Sequence, residues 1–70
     1  MQITPEIVQT SEQRLEENIE RRRAAGKVVE VIRPPYHEGL SNVRCVLRIN
    51  GNDVRMVYSP KKRLWRKADL

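Results

Sequence analysis

The sequence predicts an α+β domain in which one N-terminal helix packs on one face of an antiparallel meander of three to four strands, in the order α-β-β-β-β. Asn50-Gly51 lies between two stretches of alternating apolar and polar residues, and this pair is the strongest local signal for a two-residue hairpin turn. Residues 11–25 are good helix formers without Gly or Pro, and residues 27–33 are rich in β-branched side chains. We expect all 70 residues to form a single small domain.

The helix has clear start and stop signals. Thr4-Pro5 predicts its beginning, because threonine caps free N–H groups and proline suits the first helical position. A second start at Thr10 is the alternative, with a glutamine three residues later to complete a capping box. Gly26 predicts the end. The apolar residues expected to face the sheet are Val8, Leu15, Ile19 and either Ala24 or Ala25.

The Asn50-Gly51 turn fixes the register of the central hairpin. It places Ile49 opposite Asn52, and every other pairing follows from that one. On the face predicted to meet the helix the pairs are Leu47 with Val54, Cys45 with Met56, and Val43 with Tyr58. On the other face the pairs are Arg48 with Asp53, Val46 with Arg55, and Arg44 with Val57.

The flanking strands carry weaker signals. Residues 27–33 form the preceding strand, with Val29, Val31 and Arg33 on one face, and Pro34-Pro35 predict its end because proline donates no ladder hydrogen bond. Residues 36–42 are then a loop. After the hairpin, residues 59–62 predict a turn and residues 63–67 a short last strand, with Trp65 opposite Met56.

Composition argues against several classes of protein. One cysteine forms no internal disulfide, and His37 is the only histidine, so we expect no metal, no cofactor and no enzymatic activity. Cys45 falls on the predicted core face, where cysteine acts as a small hydrophobe. No apolar run approaches the ~20 residues that span a bilayer. We therefore expect a soluble cytoplasmic protein without membrane attachment.

Positive charge is concentrated in the second half of the chain. Residues 1–40 hold 6 Lys/Arg against 7 Glu, a balance of −1, whereas residues 41–70 hold 8 Lys/Arg against 2 Asp, a balance of +6. Such a basic half favours an anionic partner, either nucleic acid or an acidic protein surface. The alternative without a partner is that these charges serve solubility and protect a sheet edge from aggregation.

The candidate binding residues lie on the uncovered sheet face and in the last hairpin. The basic ones are Arg44, Arg48, Arg55, Lys61, Lys62, Arg63, Arg66 and Lys67. The candidate interface residues are Val46, Val57 and Arg22, of which the arginine either extends along the sheet or points at a ligand. Aliphatic side chains among arginines favour a protein interface, and a single-strand binder usually offers aromatic rings, which this face lacks when Tyr36 is assigned to a loop.

Two functions fit these observations. The first is a small basic regulator that engages nucleic acid, or a nucleic-acid-processing enzyme, through the sheet face and last hairpin. The second is an inhibitor or adaptor, of the kind that phages and plasmids encode, which docks on a protein partner or forms a homodimer through the same face.

Overall fold

The computed structural model describes residues 4–38 and 42–68 and confirms the predicted architecture. Helix α1 spans Pro5–Ala24, and strands β1 to β4 span Val29–Glu38, Asn42–Ile49, Asn52–Ser59 and Leu64–Lys67. The four strands form one antiparallel sheet in the order β1-β2-β3-β4. Helix α1 contacts both edge strands, so it spans one face of the sheet from β1 to β4.

The helix begins and ends at its predicted signals. The Thr4 hydroxyl oxygen accepts a hydrogen bond from the Ile7 amide at 3.3 Å, and Pro5 is the first helical residue, so the alternative start at Thr10 is wrong. At the other end Gly26 adopts a φ of 88°, and the Lys27 amide donates to the Arg22 carbonyl at 3.0 Å. This is the Schellman arrangement, which the left-handed glycine makes possible.

The central hairpin has the predicted register at every pair, from Ile49 opposite Asn52 to Val43 opposite Tyr58. Asn50 and Gly51 have φ values of 50° and 84°, as a type I′ turn requires. Alternate residues of β2 are buried, which shows that one complete face of this strand lies in the core.

The predicted end of β1 is wrong. The strand does not stop before Pro34-Pro35 but continues to Glu38, so residues 36–38 are strand and not loop; residues 39–41 lie outside the described chain. The ten residues of β1 run alongside the eight of β2 with two register shifts, one between Val31 and Arg33 and one between Arg33 and Tyr36. The prolines fall in the second shift on an edge strand, where their missing N–H groups cost no ladder hydrogen bond.

The last hairpin also differs from the prediction, by two residues in register. Trp65 pairs with Tyr58 and not with Met56, and the connection is residues 60–63. Arg63 closes it in the left-handed region with a φ of 54°, and its amide donates to the Ser59 carbonyl at 2.7 Å. Because side chains alternate with a period of two, this shift leaves Trp65 on its predicted face.

The core lies between α1 and one face of the sheet. The Trp65 ring contacts Tyr58, with centroids 5.4 Å apart, and its indole Nε1 donates to the Ser11 carbonyl at 2.8 Å. Ser11, not Val8, is the buried residue of the first helical turns, and Ala24 and Ala25 are both exposed, so these parts of the predicted stripe are wrong. The buried apolar residues are Leu15, Ile19, Val29, Val43, Cys45, Leu47, Ile49, Met56, Tyr58 and Trp65.

Replacement of Leu47, which has no exposed surface, tests this assignment of faces. We expect Leu47→Ala to lower the free energy of unfolding by about 2–5 kcal/mol, because it leaves a cavity at the centre of the core. Leu64→Ala is the matched control: this leucine is 43% exposed, and we expect a change within about 0.5 kcal/mol. Chemical denaturation followed by circular dichroism measures both. Equal losses from the two variants would contradict the assignment.

Candidate functional site

The strand pairings arrange side chains on the uncovered side of the sheet into rows, of which three carry the candidate residues. Residues opposite one another in an antiparallel sheet project from the same face, so the rows follow from the observed register. The first row is Tyr36, Arg44, Val57 and Arg66; the second is Arg33, Val46 and Arg55; the third is Glu30, Arg48 and Asp53. We call this surface the open face, since the one described helix packs on the other side.

The first two rows of the open face contain four arginines, one from each strand. They alternate between the first two rows, and we call this set the arginine zigzag: Arg33, Arg44, Arg55 and Arg66. Neighbouring strands are about 4.8 Å apart, so the zigzag extends about 14 Å across the sheet. Positive charge is therefore concentrated in one band of the open face.

The Arg33 guanidinium stacks on the Tyr36 ring, 3.5 Å from its centroid. The sequence predicts that Tyr36 lies in a loop and that Arg33 shares a face with Val29 and Val31, and both predictions are wrong. The register shift at Ile32 moves Arg33 to the open face, and the continuation of β1 past the prolines brings Tyr36 beside it. The open face therefore does carry an aromatic ring, contrary to the prediction.

A pocket of about 290 Å³ lies next to this stack. Three residues of the arginine zigzag line it, together with Tyr36 and Val46; the three are Arg33, Arg44 and Arg55. Arg44 is half-buried, whereas Arg33 and Arg55 are exposed. A pocket with guanidinium groups on several sides suits an anion, because arginine donates forked hydrogen bonds to phosphate or carboxylate oxygens.

The third row is close to neutral. Arg48 Nε donates to Asp53 Oδ1 at 2.8 Å, and Glu30 lies opposite Arg48 on β1. This hydrogen bond lowers the pKa of the Asp53 carboxyl and raises the pKa of Arg48. Arg48 is thus on the open face, as predicted, but its charge is matched by carboxylates of its own row.

The predicted interface valines are also on the open face. Val46 and Val57 are half-buried diagonal neighbours on β2 and β3. Each lies between two arginines of its row: Val46 between Arg33 and Arg55, and Val57 between Arg44 and Arg66. The valines therefore form a small apolar centre enclosed by charge, not a broad dry patch.

The remaining predicted residues lie away from the arginine zigzag. Lys61, Lys62 and Arg63 are in the connection between β3 and β4, and the last two line a groove of about 390 Å³ with residues of α1. Lys67 pairs with Met56, which belongs to the helix-facing side, although it is exposed at the end of its strand. Arg22 Nε donates to Asn18 Oδ1 of its own helix at 2.7 Å.

Residues suited to catalysis are dispersed. His37 is exposed on β1 opposite Val43, and Cys45 is buried with 1% of its surface exposed. Across residues 4–38 and 42–68, no three His, Cys, Asp or Glu side chains come together as metal ligands. Helix α1 is too polar to cross a membrane, and it is the single helix of the described chain.

No protein-family model matches this chain, and neither a curated protein nor a solved structure matches it at a significant level. The arrangement of side chains on the open face is consequently the basis for any proposal about function.

The thiol of Cys45 provides a test of how tightly the core is closed. Burial raises its pKa from 9.0 to about 12, so we expect very slow reaction with Ellman's reagent in the native protein near neutral pH and fast reaction after unfolding. Because the unfolded thiol ionises first, the free energy of unfolding should fall as pH rises from 9.0 towards 12. Native labelling as fast as unfolded labelling would contradict this.

Proposed function

We propose that the protein is a small, non-enzymatic regulator that binds nucleic acid through the open face. The observation that carries this proposal is the arginine zigzag: each of the four strands contributes one arginine to the same two neighbouring rows of the open face. Guanidinium groups fork onto phosphate oxygens, and each phosphate neutralised releases bound counterions. The charge lies on a surface left uncovered by the fold, where a phosphate backbone has access to it.

A protein partner or a homodimer is the second candidate. Val46 and Val57 favour it, because a half-buried apolar pair enclosed by arginines resembles the centre and rim of a protein interface. An acidic surface would complement the surrounding charge. The two candidates differ in what they require: phosphate contacts depend on the arginines, whereas a protein interface depends on the valines at its centre.

Two double variants with equal loss of charge test the first candidate. Arg44→Gln with Arg55→Gln removes two residues of the zigzag, and Lys61→Gln with Lys62→Gln removes two charges from the β3–β4 connection. Binding to a labelled oligonucleotide is measured by fluorescence anisotropy over a salt series. We expect the arginine variant to reduce the slope of log K against log salt by up to about 1.4–1.8, and the lysine variant to change it far less.

A third variant tests the second candidate. We expect Val46→Ser with Val57→Ser to leave salt-dependent oligonucleotide binding unchanged, because replacing valine by serine removes no charge. A homodimer or protein complex would instead be lost, as measured by sedimentation velocity and by pull-down. Circular dichroism checks that each variant is folded. Equal effects of the arginine and lysine variants on the salt slope would show general electrostatic attraction without a defined site, which would contradict the proposal. Absence of oligonucleotide binding at about 50 mM salt would also contradict it.

A further inference from the structure

The stacked Tyr36 and Arg33 side chains and the pocket beside them together resemble a site for one nucleotide. The Arg33 guanidinium covers one face of the Tyr36 ring, and this stacked pair forms a platform at the β1 edge of the open face, with the exposed Arg33 as its outer layer. Three guanidinium-bearing residues surround the adjoining pocket of about 290 Å³. Bases stack on aromatic rings and on arginine planes, and phosphates bind guanidinium groups, so both parts of a nucleotide have a place here.

The width of the sheet argues against a duplex as the ligand. The major groove of B-form DNA is about 12 Å wide and admits a helix or a two-stranded ribbon. Here the ribbon β2–β3 is flanked on both sides by further strands, so the open face is at least about 14 Å across. Helix α1 lies on the opposite side of the sheet from the arginine zigzag. An undistorted B-form duplex would therefore not admit this face into its major groove and would contact it mainly through its backbone.

An unpaired strand can use both the stacked platform and the arginines of the open face. Bases within a duplex are stacked on each other, so the platform of Tyr36 and Arg33 has no base to receive from one. In a single strand the bases are free to turn towards the protein. The remaining member of the arginine zigzag, Arg66, lies on β4 and would meet a phosphate that follows.

We propose that the ligand is single-stranded nucleic acid. One base stacks on the platform of Tyr36 and Arg33, its phosphate occupies the pocket between Arg33, Arg44 and Arg55, and the strand continues across the sheet towards Arg66. This inference rests on the proposed function and specifies the class of nucleic acid and the position of one nucleotide.

The first test compares single strands with a duplex of the same length. End-labelled oligothymidylate and oligouridylate of about 12 nucleotides, within the usual range for such sites, are titrated with the full chain at fixed salt, beside an oligoadenylate–oligothymidylate duplex. We expect the single strands to bind at least about tenfold more tightly, because base stacking contributes only for them. The two single strands show whether the site takes DNA, RNA or both.

Substitution of Tyr36 is the second test. We expect Tyr36→Ala to weaken binding of the single strand by about 5- to 150-fold without changing the salt slope, because stacking is lost while phosphate contacts stay. Tyr36→Phe should restore affinity, since it keeps the ring. His37→Ala is the matched control: this exposed neighbour projects from the opposite face of the same strand, and binding should be unchanged.

If Tyr36→Ala fails to fold, Tyr36→Trp provides an independent test of base stacking. A base stacked on the introduced indole quenches its fluorescence, and the buried Trp65 gives a constant background. Equal affinity for duplex and single strand, no loss in Tyr36→Ala, or no quenching at saturation would overturn this inference while leaving nucleic-acid binding itself intact. Absence of binding to every oligonucleotide would instead overturn the proposed function.

Discussion

The Asn50-Gly51 turn is the constraint on which the rest of this structure depends. Both residues adopt positive φ, which fixes the β2–β3 register. Asn50 also fixes the position of the chain just before β1. Its backbone amide donates to the Val28 carbonyl at 2.9 Å, and its side-chain Oδ1 accepts from the Val28 backbone amide at 2.9 Å. A slip of one residue at this turn would exchange the two faces, burying arginines and exposing the core.

This register separates two chemistries along the same strands. The residues of β2 alternate between the buried core and the open face, so the apolar contacts that hold α1 also determine where the arginines project. The indole of Trp65 joins the two layers by its hydrogen bond to the Ser11 carbonyl. The core and the open face are thus opposite sides of the same two central strands.

The helix cap, the central hairpin and the faces of β2, β3 and Trp65 could be predicted because each depends on local chemistry with a fixed period. Two features could not. The number of extra residues in β1 depends on pairing with β2, and Pro34-Pro35 more often end a strand than continue it. Arg63 adopts the left-handed region although it is not glycine. The register of the last hairpin therefore differs by two residues from the predicted register. Because the extra residues of β1 could not be predicted, the contact between Arg33 and Tyr36 could not be predicted either. This contact is the part of the candidate site that sequence reasoning missed.

We propose that the strand register places Arg33, Arg44, Arg55 and Arg66 together on the open face for binding. The most direct test is a titration of isotope-labelled protein with oligothymidylate, followed through the arginine side-chain Nε–Hε resonances. The account predicts that the signals of Arg33, Arg44, Arg55 and Arg66 shift together, while those of Arg14 and Arg21 on the helix do not. Shifts confined to the helix and the β3–β4 connection, or of equal size over all arginines, would contradict it.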